Sequence, residues 1–76
     1  MLTLQVKLDT IELVKSFSSL MNTYDGECDL TSGRYVVDAK SIMGVFSLDL
    51  AKPLKLHLHN GISPKLMAAL KPYLAD

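Results

Sequence analysis

Apolar and polar residues alternate at the start of the chain, with Leu2, Leu4, Val6 and Leu8 on one side and Thr3, Gln5 and Lys7 on the other. A period of two marks a strand with one buried face. The rhythm then lengthens. Leu13, Val14, Phe17, Leu20, Met21 and Tyr24 recur with the spacing of an amphipathic helix, while Lys15, Ser16, Ser18, Ser19 and Asn22 take its other face. This spacing predicts a helix from about Ile11 to Asn22, capped by Asp9 or Thr10.

Asp25-Gly26 signals a turn, and a short strand with Cys28 and Leu30 inward follows. Ser32-Gly33 sits between two extended runs and predicts a hairpin, whose second strand runs from Arg34 to Ala39 through Tyr35, Val36 and Val37. Ser41 is placed to cap a short helix from Ile42 to about Leu48. Gly44 weakens that helix by roughly 1 kcal/mol relative to alanine, so packing must hold it. After Pro53, Leu54, Leu56 and Leu58 alternate with Lys55, His57 and His59 in a further strand. Asn60-Gly61 turns the chain. Ser63-Pro64 then starts a last helix with Leu66, Met67 and Leu70 inward, and Pro72 ends its regular part.

The order is β-α-β-β-α-β-α. Strands with one apolar face and helices with one apolar stripe predict a two-layer α+β domain: a four-stranded, mostly antiparallel sheet with three helices on one face and solvent on the other.

Composition narrows the function. The chain has 76 residues, 49% of them hydrophobic, which suits a single folded domain spanning 1–76. So short a chain buries only about 60% of its unfolded surface and has no room for a separate catalytic domain. Formal net charge is zero, with eight basic and eight acidic side chains. No basic patch suited to a phosphate backbone is present, which argues against nucleic acid. No apolar run has the length of a signal peptide core or a membrane span, which argues against a membrane role. The lone Cys28 allows no intrachain disulfide and suits a reducing, cytoplasmic setting.

The segment Val37-Asp38-Ala39-Lys40-Ser41-Ile42-Met43-Gly44-Val45-Phe46-Ser47-Leu48 resembles the strand-to-helix region of HPr family phosphocarrier proteins of the Gram-positive or clostridial type. There an Ala-Lys-Ser-Ile-Met-Gly-Val-Met-Ser-Leu run is usual. The surrounding elements fall in the matching places, although the first and last helices agree only in pattern. The resemblance implies an HPr-like open-faced β-sandwich related to the bacterial phosphotransferase system.

The departure from that family is as informative as the match. Active members carry a Gly-x-His-x-Arg-Pro motif after the first strand, and its histidine accepts the phosphoryl group. Here the place reads Leu8-Asp9-Thr10-Ile11-Glu12-Leu13, without histidine, arginine or proline. A helix N-terminus attracts phosphate through its free N–H groups and positive dipole end. A cap at Asp9 or Thr10 uses up such a donor, and Asp9 and Glu12 add negative charge. The expectation is a chain without histidine phosphocarrier activity.

Ser41 matches the serine that a dedicated ATP-dependent kinase phosphorylates in Gram-positive members, although serine is a good cap in any protein. The resemblance also implies docking of protein partners through Lys40, Ile42, Met43 and Phe46. Those partners would be a serine kinase, a transcription regulator or a phosphotransferase-system component. The other reading is a structural or self-associating accessory domain, including a weak homodimer. No enzyme constellation, cofactor loop or metal centre is evident. His57 and His59 share a strand face and two such histidines can chelate zinc or copper, but no further ligand pair accompanies them. They are read as exposed polar positions, and Cys28 as a core residue.

Overall fold

The computed structural model describes residues 2–75. Their elements are β1 (Leu2–Val6), α1 (Ile11–Met21), β2 (Cys28–Ser32), β3 (Tyr35–Asp38), α2 (Ile42–Phe46), β4 (Leu54–Leu58), α3 (Pro64–Leu70) and a 3-10 turn over Lys71–Tyr73. The four strands form one antiparallel sheet in the order β1-β4-β2-β3. This is the α+β architecture expected from the pattern of the chain.

β4 lies inside the sheet because its apolar side is the most continuous. Leu54, Leu56 and Leu58 are all fully buried, while Lys55 between them is exposed. Val6 pairs with Leu54 and Leu4 with Leu56 on one flank, and Leu30 pairs with Leu56 on the other. Phe17, Val14 and Met21 of α1, Val45 of α2, and Leu66 and Leu70 of α3 complete the core. The sheet's other face carries Thr3, Gln5 and Lys55 to solvent.

The element boundaries differ from the periodicity where side chains intervene. α1 stops at Met21, because the Asn22 amide donates to the Ser18 carbonyl at 2.7 Å and to the Lys40 carbonyl at 3.1 Å. α2 stops at Phe46, where the Ser47 hydroxyl donates back to the Gly44 carbonyl at 2.6 Å. Leu48 is nevertheless buried, held just beyond the helix. β3 is shorter than the β-forming run, since Gly33 and Arg34 are spent on the turn. Gly33 has φ +61° and Arg34 has negative φ. This suits a two-residue II′ turn with glycine first, whose twist matches the strands.

The chain after Pro72 also contributes. Leu74 bridges Val6, the Ala75 N–H donates to the Gln5 carbonyl at 2.8 Å, and the Lys7 N–H donates to the Tyr73 carbonyl at 2.8 Å. This strap covers the free edge of β1. Tyr73 stands edge-on to Phe17, with ring centroids 5.6 Å apart, and its hydroxyl bonds Ser16 at 2.7 Å.

Candidate functional site

The segment from Asp38 to Phe46 is fixed at several points before any function is considered. The Asp38 carboxylate accepts from the Lys40 N–H at 2.9 Å, and the Asp38 carbonyl accepts from the Ser41 N–H at 3.0 Å. The Lys40 carbonyl receives both the Ser18 hydroxyl, at 3.3 Å, and the Asn22 amide. The end of α1 thereby holds the start of α2. Gly44 lets α2 approach the sheet: a β-carbon there would stand 3.2 Å from the Val37 β-carbon.

On this held segment Ser41 is exposed, and its hydroxyl accepts from the Gly44 N–H at 3.1 Å. Among the residues expected to dock partners, Met43 is 79% exposed and Phe46 41% exposed. Ile42 is only half-buried, packed against the core. Lys40 turns aside from Ser41: its ammonium donates to the Tyr24 carbonyl at 2.8 Å. Sequence reasoning missed Ile11, which opens α1 and is 59% exposed. The signal was its position at the helix start, outside the stripe formed by Leu13, Val14 and Phe17.

At the start of α1 the cap is Thr10, whose hydroxyl accepts from the Leu13 N–H at 3.1 Å. Asp9 is not the cap and instead faces Lys7 at 4.0 Å, which offsets part of its charge. Glu12 stays in the first turn.

The two histidines lie elsewhere, on the sheet side away from the helices. His57 sits between neighbouring strands, with Nδ1 3.0 Å from the Thr3 hydroxyl and Nε2 3.2 Å from the Thr31 hydroxyl. Nε2 of His59 is 2.8 Å from the Asp29 carboxylate. Both nitrogens of His57 are thus engaged by protein, and no group of three metal-ligating side chains occurs among the described residues. Cys28 is buried. No helix among the described residues is long and apolar enough to cross a membrane.

The fold is similar to that of solved bacterial proteins. The crystal structure of HPr-C-His from Thermoanaerobacter tengcongensis superposes with a TM-score of 0.75 at 19% identity, over 92% of this chain and 86% of that one. The phosphocarrier protein HPr of Bacillus anthracis superposes with a TM-score of 0.70 at 22% identity, over 97% of this chain and 94% of that one. No protein-family model and no curated protein matches the chain. The fold is therefore HPr-like.

Proposed function

We propose that this chain is an HPr-like, phosphotransferase-system-related cytoplasmic protein that carries no phosphoryl group on histidine and acts as a regulatory docking module through the segment 40–46. It is not an enzyme and uses no cofactor or metal. The observation that carries this reading is the exposure of Met43 and Phe46 beside the exposed Ser41, on a segment tied down by Asp38, Ser18 and Asn22. Apolar side chains standing out of a fixed backbone suit recognition by another protein. Methionine adapts its shape to such a contact. Partners of this surface are a serine kinase, a transcription regulator or a phosphotransferase-system component.

Ser41 is the regulatory site in this reading. A phosphoryl group there would meet the free N–H groups opening α2, a favourable place for negative charge. The Lys40 ammonium would contribute only by leaving the Tyr24 carbonyl.

Loss of histidine chemistry is supported by the start of α1. Thr10 occupies a donor that a phosphoryl group would need, and Glu12 repels it. Both histidines of the chain lie beyond this helix, at 57 and 59, and bond other residues.

Two labelling reactions test the reading. With enzyme I and labelled phosphoenolpyruvate, no stoichiometric phosphohistidine is expected; its appearance would reject the proposal. With the ATP-dependent serine kinase of Gram-positive phosphotransferase systems, mass spectrometry should find the phosphate on Ser41. An unmodified Ser41 would remove the regulatory part. Met43→Asp with Phe46→Asp should abolish kinase binding while leaving the fold intact by circular dichroism.

A further inference from the structure

The strap over β1 leaves β3 as the uncovered edge of the sheet. That edge is apolar: Tyr35 is 68% and Val36 64% exposed. An open edge strand offers its unpaired N–H and C=O groups to another strand. The two-residue turn makes Ser32 and Tyr35 the closing hydrogen-bonded pair of the hairpin. Bonding alternates from there, and the Ala39 N–H donates to the Cys28 carbonyl at 3.0 Å as that alternation requires. Val36 therefore turns its backbone groups outward, away from β2, and so does the Asp38 N–H. The Asp38 carbonyl is already used by the Ser41 N–H.

We propose that β3 pairs antiparallel with β3 of a second copy of this chain, centred on Val36, with Arg34 of each copy opposite Asp38 of the other. The strand is self-complementary in this register and loses that property in its neighbours. Val36 meets Val36, and each Asp38 N–H reaches the Arg34 carbonyl across the axis. On the open face the order Arg34-Val36-Asp38 reads as its own charge complement when reversed. On the helix side Tyr35 meets Val37. Such an interface is isologous and closes after two copies.

The electrostatics within one copy point the same way. Asp38 stands directly opposite Asp29 in the β2–β3 ladder. Like charges so placed destabilise a sheet. His59 engages Asp29, and the Lys40 N–H engages one oxygen of Asp38. Arg34 has no carboxylate partner among the described residues. Pairing of two copies brings each unused guanidinium to this carboxylate pair. The contact is small beside a standard interface of roughly 1,600 Å², so association is weak and concentration-dependent. It uses an edge and a sheet face away from the exposed Ser41, Met43 and Phe46, and shares Asp38 with the docking segment, whose Lys40 N–H that carboxylate also accepts.

Charge exchange tests the register. Sedimentation velocity of the wild type should show reversible dimerisation, with concentration-dependent exchange protection of the Val36 and Asp38 amides. Arg34→Asp alone, or Asp38→Arg alone, places like charges opposite each other and should weaken self-association by about tenfold or more. An equimolar mixture of the two variants restores both ion pairs and should dimerise at least as well as the wild type. A monomeric wild type at all concentrations would overturn the proposal. So would a dimer whose protected amides lie elsewhere, or two folded variants that fail to associate when mixed.

Discussion

At the scale of single residues, the caps and the buried thiol give the sharpest expectations. Thr10 satisfies a donor at the start of the longest helix. Thr10→Ala should cost about 1 kcal/mol and lower the Tm by roughly 4–8 °C, read by thermal denaturation. Burial pushes the Cys28 thiol up from its ordinary 9.0 to about 11, with Lys40 opposing the shift and Asp38 and Asp29 adding to it. The unfolded chain releases this proton first, while the folded chain holds it until about pH 11. Between those values the unfolded state binds fewer protons, so stability falls as pH rises. Urea midpoints across this range should drop more steeply for the wild type than for Cys28→Ala. A parallel decline of the two would locate the alkaline sensitivity elsewhere.

Among elements, α2 and the C-terminal strap are held by contact more than by propensity. α2 has only five residues, and Gly44 stands in its middle. Replacing that glycine by alanine would gain about 1 kcal/mol in an exposed helix. Here the added methyl meets the Val37 β-carbon at 3.2 Å and the Ser41 hydroxyl at 3.4 Å. Gly44→Ala should therefore fall short of that gain, and should recover more of it in a Val37→Gly background, which removes the β-carbon it meets. A double-mutant cycle measured by chemical denaturation reads this coupling. Tyr73 ties the strap to Phe17 and Ser16. Tyr73→Ala should cost about 2–3 kcal/mol, because an aromatic contact and a hydrogen bond go together. Periodicity made the strands and α1 legible, since their apolar spacing repeats over enough residues to separate two periods. The strap was not legible: Tyr73 and Leu74 belong to no repeating pattern, and Leu74 pairs with Val6 far away in the chain. The chemistry of the candidate site was legible in residue types and less so in orientation. Ser41 stood out as a cap, whereas Lys40 turning to Tyr24 and Ile42 turning to the core depend on neighbours from other elements.

For the whole molecule, a chain of 76 residues has a stability of roughly 4–11 kcal/mol, at about 0.05–0.15 kcal/mol per residue. One core deletion is a large part of that. Leu56 pairs with Leu4 on one side and Leu30 on the other, at the middle of the sheet. Leu56→Ala should cost about 2–5 kcal/mol and bring unfolding close to physiological temperature, measured by calorimetry. The pairing of β1 has a temporal side as well. β1 precedes α1, the β2–β3 hairpin and α2 in the chain, yet its partners, β4 and the strap around Leu74, follow them. On the ribosome β1 stays unpaired while α1, the β2–β3 hairpin and α2 emerge. Closing so long a loop comes late and slowly. A nascent chain halted before Leu54 lacks the central strand and leaves the apolar side of β1 open to chaperones.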